Sequence, residues 1–130
     1  MPGEANFSLD IRSQDETILK RFAALTLDLA SRIGEKRRVK FELSPFTLQK
    51  PAAMDPAFRT RLQEGADALG ISAMDIPSGA GHDAQDFVHE GIPSAMIFVR
   101  NANGSHNPHE AMAMEDFCLG TQLLAWMLAR

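Results

Sequence analysis

An α/β fold is predicted by three patterns in the chain. Phe7, Leu9 and Ile11 alternate with Ser8, Asp10 and Arg12, the period of a strand with one wet face. Ile18, Phe22, Leu25, Leu29 and Ile33 then recur at helical spacing. Ala95-Met96-Ile97-Phe98-Val99 is a continuous apolar run of strand length, which suits burial on both faces of a sheet.

The elements follow in order. After the first strand, Ser13-Gln14-Asp15-Glu16 reads as a capping box. Gly34 is the expected stop of the helix, with Lys36, Arg37 and Arg38 suited to its negative end. Val39, Phe41 and Leu43 alternate as a second strand. Residues 1–46 thus read as a strand–helix–strand unit, amphipathic throughout, whose open side needs cover. Ser44 to Met54 carries Pro45 and Pro51 and no helical period, so residues 47–54 read as a linker.

Asp55-Pro56 is expected to cap a second helix, with Phe58, Leu62 and Leu69 inward and Gly70 at its end. Ile71 to Ile76 reads as a short strand. A glycine-rich loop with His82 follows, then a short helix from Asp83 to Glu90 stopped by Gly91. The apolar strand around Ile97 leads into a second histidine loop. A last helix is expected from about Glu115 to Arg130, with Phe117, Leu124 and Leu128 buried. Residues 55–130 therefore read as a helix-flanked sheet. In open α/β sheets ligands bind beyond the carboxyl ends of the strands, where both histidine loops fall.

Composition narrows the function. The length of 130 residues fits one ordinary domain or two small halves, and the 45% apolar content is enough for a core. A net charge of -4 offers no broad basic footprint for nucleic acid. Lys36-Arg37-Arg38 is short and reads as a solvated helix exit rather than a binding patch. Cys118 is the single cysteine, so an internal disulfide and CxxC metal sites are excluded. It falls on an apolar helix face, where a buried, inert thiol is expected. No apolar run reaches membrane-spanning length and no signal-peptide pattern opens the chain. The expectation is a cytoplasmic protein with neither nucleic-acid nor membrane partners.

Three of the four histidines lie in the two loops. In Ser105-His106-Asn107-Pro108-His109-Glu110, Pro108 restricts the backbone path, and a rigid loop presenting one imidazole suits a metal ligand. The alternative is a capping loop whose histidine bonds a backbone carbonyl. His82 follows Gly79-Ala80-Gly81, where small residues let a ligand approach the backbone and exposed amides suit an anion. Asp83 is placed to orient that imidazole. The alternative is a plain glycine-rich turn. Arg12 ends a strand on its wet face and suits a carboxylate held bidentately, or else a surface pair with Asp10 or Asp15. His89, beside Glu90, reads as a solvated residue, and His109 carries no assignable role. A metal site needs three or four protein ligands, and neither HxD nor HExxH occurs here.

Taken together, Pro2-Gly3-Glu4, Phe7 to Arg12, Pro77-Ser78-Gly79-Ala80-Gly81-His82-Asp83-Ala84-Gln85, Met96-Ile97-Phe98-Val99 and Ser105 to Glu110 resemble one family. It is the binuclear-metal amidohydrolases that include N-carbamoyl-L-amino-acid hydrolase, allantoate amidohydrolase and β-ureidopropionase, within the aminoacylase/carboxypeptidase-like superfamily. The resemblance covers essentially the whole chain and matches the C-terminal portion of such an enzyme. It implies that residues 1–46 are half of a dimerisation domain and residues 55–130 the C-terminal part of a metal-dependent catalytic domain.

The resemblance also implies roles. His106 matches a metal ligand. Arg12 matches an arginine that grips the substrate carboxylate across a dimer interface. Gly81 and His82 match a substrate-contacting loop. The general base and the other metal ligands would lie upstream, so no catalytic residue is expected in this chain. The complete enzyme would use two divalent ions, zinc or else manganese, nickel or cobalt, with none held by this chain alone. It would be a homodimer or higher oligomer acting on a small carboxylate substrate. The reaction implied is cleavage of a linear amide or carbamoyl C–N bond of an N-carbamoyl-L-amino acid or related ureido acid. The alternatives are a non-catalytic dimerisation or binding module and a fragment of an aminoacylase or dipeptidase relative. The chain departs from the family at Arg100 to Gly104, where a more Ser/Gly-rich loop is usual. It departs again at His109, where a small residue is usual, and at Ala113-Met114, which lack a Ser/Thr cap.

Overall fold

The longest element, α1 (Glu16–Arg37), begins on a carboxylate. In the computed structural model, which describes residues 3–129, Asp15 Oδ1 accepts the Thr17 and Ile18 amides at 2.7 and 3.3 Å. The cap is therefore two residues later than the Ser13 of the expected capping box. Ser13 instead accepts the Asp15 amide at 3.1 Å. An ionised acceptor at the positive helix end satisfies orphan amides better than a neutral hydroxyl, which accounts for the shift. The other end also differs from expectation. The helix runs through Gly34, and Arg38 takes the left-handed turn at φ 55°. Gly34 matters for a different reason. Its carbonyl accepts the Arg38 and Val39 amides, and a Cβ there would stand 3.0 Å from the Val39 carbonyl oxygen. Glycine lets the chain fold back against the helix rather than ending it.

The chain divides into two compact units, Met1–Ala52 and Ala53–Arg130. In the first, Val39, Phe41 and Leu43 return beside Leu27, Ala30 and Gly34 to frame an open groove of about 310 Å³. Leu48 to Lys50 lie near Glu16, Leu19 and Lys20. No described residue of this unit is buried, and Phe22, Leu25 and Ile33 of α1 are each nearly half exposed.

The second unit centres on α2 (Pro56–Leu69) and α4 (Met114–Leu128), which pack on each other. Asp55 Oδ1 caps α2 through the Phe58 amide at 2.8 Å, with Pro56 in the first turn as expected. Gly70 closes it at φ 66°. The inward face differs from the expected one. Gly65 and Ala66 are buried, Leu62 is half-buried, and Phe58 and Leu69 are more exposed. Leu123 and Trp126 of α4 lie over Gly65, within 2.6 to 3.0 Å of where its Cβ would stand. The buried side of α4 thus carries Leu123, while Phe117, Leu124 and Leu128 are exposed. A small residue lets two helices approach closely, so the glycine–alanine step outcompetes the larger apolar residues for the contact. Cys118 is likewise exposed rather than buried. At its other contact, α4 sets Gly120 against Val99, whose Cγ2 lies 2.6 Å from a Cβ built on the glycine.

α3 (Asp83–His89) is the short helix before Gly91, which turns at φ 79°. The expected strands are not paired among the described residues. The ladder pairing among the described residues is an isolated antiparallel bridge outside those segments, between Ala102 and Ala111. Alternation reports a half-buried extended segment, but a strand also needs a neighbour for its backbone groups, and residues 7–12, 39–43, 71–76 and 95–99 do not supply one another with it. The expected Pro2 motif residue and the expected helix end at Arg130 lie outside the described residues.

Candidate functional site

Residues 101–111 form a loop closed at its base. The Ala102 amide donates to the Ala111 carbonyl at 2.7 Å, and the Ala111 amide returns the bond at 3.2 Å. Asn residues lace the interior. Asn103 Nδ2 donates to the His109 carbonyl at 2.8 Å, and Asn107 Nδ2 donates to the Asn103 carbonyl at 2.8 Å. Asn107 Oδ1 accepts the His109 amide at 2.9 Å. Asn103 and His106, at φ 65° and 62°, sit in the left-handed region that side chains disfavour, beside Gly104 at φ 70°. His106 is exposed, and its ring makes no hydrogen bond among the described residues.

The Glu110 carboxylate lies within this loop. It is held below the usual carboxylate range, first by the Asn101 side-chain amide and then by the His106 backbone amide. Sequence reasoning had given Glu110 no role, and the asparagines none either. Their short spacings within one loop, Asn101, Asn103 and Asn107 around Gly104, were the available signal.

The second loop holds a half-buried His82, the residue preceding α3. Its Nε2 shares a 2.7 Å hydrogen bond with Ser78 Oγ, and its ring tilts against Phe98 at 5.4 Å between centroids. Ser78 also accepts the Ala80 amide at 3.2 Å. The partner of His82 is thus Ser78, not the expected Asp83, which makes no hydrogen bond to the ring among the described residues. The tight Gly79-Ala80-Gly81 turn brings Ser78 back to the imidazole. Gly81 is not required by the fold. Its φ lies outside the left-handed region, and an added Cβ would meet only Gln85 Oε1, at 3.7 Å.

His82 and His106 both belong to the second unit, and no hydrogen bond or ring contact joins them among the described residues. Arg12 belongs to the first. Its Nε and an Nη donate to Asp10 Oδ2 at 3.0 and 2.7 Å. The hydrogen bond and charge of Arg12 hold the Asp10 carboxyl below its ordinary value. Both side chains are more than half exposed, so this pair adds little to stability and leaves the guanidinium at the surface.

Residues 4–130 match Peptidase family M20/M25/M40. The chain belongs to this family. Among curated M20 relatives, it is 30% identical over 129 residues to an allantoate amidohydrolase of Escherichia coli, covering 98% of this chain and 31% of that one. It is 33% identical over 129 residues to an N-carbamoyl-L-amino-acid amidohydrolase of Paenarthrobacter aurescens, covering 95% and 30%. A crystal structure from Burkholderia cenocepacia, assigned as an amidohydrolase/peptidase, superposes with a TM-score of 0.75 at 28% identity, over 88% of this chain and 27% of that one. The chain spans about a third of the length of these M20 relatives. The likeness supports an α/β domain, although the pairing of strands is absent among the described residues.

M20 enzymes depend on metal, and the donor set here fits one ligand position: a solvent-facing imidazole on a braced loop. It does not fit a whole site, since no group of three His, Cys, Asp or Glu gathers to hold an ion among the described residues. The described residues also include no helix long and apolar enough to cross a membrane.

Proposed function

We propose that this chain forms the C-terminal part of a metal-dependent amidohydrolase that cleaves a linear amide or carbamoyl C–N bond in an N-carbamoyl-L-amino acid or related ureido acid. The observation that supports the reading is the closed loop at 101–111, which exposes His106 with no hydrogen bond to its ring among the described residues. His106 is assigned to the metal, with the remaining ligands and the general base supplied by the rest of the enzyme. When bound, the divalent ions, zinc or else manganese, nickel or cobalt, activate water and polarise the scissile carbonyl. His82, held by Ser78, and the small residue Gly81 contact substrate. Arg12 grips the substrate carboxylate across the dimer interface, as its guanidinium can do with two parallel donors, a task for which a lysine point charge is a poor substitute.

Residues 1–46 act as half of a dimerisation domain and residues 55–130 as part of the catalytic domain, with 47–54 between them. A second copy covers the apolar side of the first unit, since an amphipathic helix and extended segments with no buried residue among those described do not offset the entropy of ordering them.

A hybrid enzyme tests this reading. Residues 3–129 replace the matching third of the E. coli allantoate amidohydrolase, and ammonia release is measured with allantoate and with N-carbamoyl-L-amino acids. Turnover should appear with one of these and vanish on His106→Ala, with loss of bound metal. A folded hybrid that is active on neither, or that keeps its rate and metal without His106, overturns the reading and favours a binding module.

A further inference from the structure

His106 holds an unfavourable backbone conformation in an exposed loop, and something must keep it there. A non-glycine residue enters the left-handed region only where its surroundings over-determine it. His106 has φ 62° and supplies one donor to the loop, its own amide. That amide meets Glu110 Oε2 at 3.0 Å. The other oxygen, Oε1, accepts Asn101 Nδ2 at 2.9 Å, and Nδ2 also reaches Ser105 Oγ at 3.1 Å. Glu110 itself is anchored twice. Its amide donates to the Asn107 carbonyl at 3.1 Å, and its neighbour Ala111 closes the base of the loop on Ala102. One carboxylate thus ties the start of the loop, at Asn101, to its tip, at His106. Both bonds are charge-assisted, so each is stronger than a neutral equivalent.

We propose that Glu110 is the positioning residue for His106, holding residue 106 in its left-handed conformation and so aiming the imidazole. The inference rests on the reading of His106 as a metal ligand, and it adds the group that gives the ligand its direction. The demand on residue 110 is specific. It must present two acceptors at the distance of a glutamate side chain. Glutamine keeps the length but offers one acceptor and turns an amino group toward the other donor. Aspartate keeps both acceptors but falls one methylene short.

Amide hydrogen exchange followed by NMR on the 130-residue chain tests the brace. Glu110→Gln should leave helix content and melting unchanged while the His106 amide exchanges about ten-fold faster, the size expected for loss of a hydrogen bond to a charged group. Asn101→Asp, which sets a second carboxylate against Glu110, should do the same. Amides within α2 and α4 serve as the control. Unchanged exchange at His106 in both variants overturns the proposal. So does acceleration spread evenly over α2 and α4, which would make Glu110 a general structural residue. The hybrid enzyme separates the two readings. If Glu110→Gln frees the amide, yet the hybrid holds as much zinc with His106→Ala as without it, the ligand assignment falls and the brace stands.

Discussion

Gly81 is the residue at which fold and function can be told apart most simply. The backbone there does not need glycine, and a methyl group would enter open space beside Gln85. Gly→Ala at a compatible position stabilises by about 0.4–1 kcal/mol, because the unfolded chain loses freedom. If the loop serves only the fold, Gly81→Ala should be neutral or slightly stabilising in every assay. If a substrate passes close to the backbone, the same change should leave chemical unfolding of the isolated chain unharmed and raise KM in the hybrid enzyme by about ten-fold, or about 1.4 kcal/mol. An unchanged KM would remove Gly81 from the substrate-binding set. Beside it, His82 is tied into the loop by its hydrogen bond with Ser78 and its ring contact with Phe98.

At the scale of elements, the α2–α4 contact decides what the second unit buries. Two effects oppose each other at Gly65. Alanine is better than glycine in a helix interior by about 1 kcal/mol. Overpacking a close contact costs about 1–3 kcal/mol. A Cβ at Gly65 would stand 2.6 Å from an atom of the Trp126 ring and 3.0 Å from Leu123 Cδ1. An indole cannot yield by rotating a chain end, so the steric cost should win. Gly65→Ala should destabilise the second unit, by up to about 2 kcal/mol after the propensity gain is subtracted, and so lower its urea midpoint. A midpoint that rises would mean that the helices are free to separate at this point. Val99 against Gly120 is the same device on a stiff, β-branched side chain.

The whole molecule leaves much apolar surface uncovered. Phe7, Phe22, Leu25, Ile33, Val39 and Leu43 are all substantially exposed, in a unit with no buried residue among those described. Fully burying one such side chain is worth about 1.5–3 kcal/mol and covering a half-exposed one about half of that, so it takes the whole set together to offset an association cost of about 4 kcal/mol or more. The chain should therefore self-associate, and light scattering across a dilution series should give at least a dimer at micromolar concentration. A folded monomer throughout that range sinks the proposal. Phe41→Asp or Leu43→Asp should yield monomers or insoluble protein, while Arg12→Ala should leave assembly intact.

Local signals were legible in the amino-acid sequence alone: three of the helices nearly to their ends, the Asp55-Pro56 start, the Gly70 and Gly91 stops, the two histidine loops and the family resemblance. Each depends on neighbours a few residues away, on capping, turn chemistry and period. Tertiary contact decided the rest. Which face of α2 and α4 turns inward follows from how closely Gly65 admits Trp126, and periodicity cannot rank a glycine above leucines and phenylalanines. Ser78 rather than Asp83 meets His82 because the turn between them brings it back. Glu110 acquires its place because the loop closes on Ala102 and Ala111, a pairing nine residues apart. Strand pairing is the extreme case. Alternation shows that a segment is suited to a sheet, but a ladder exists only where a second backbone meets it.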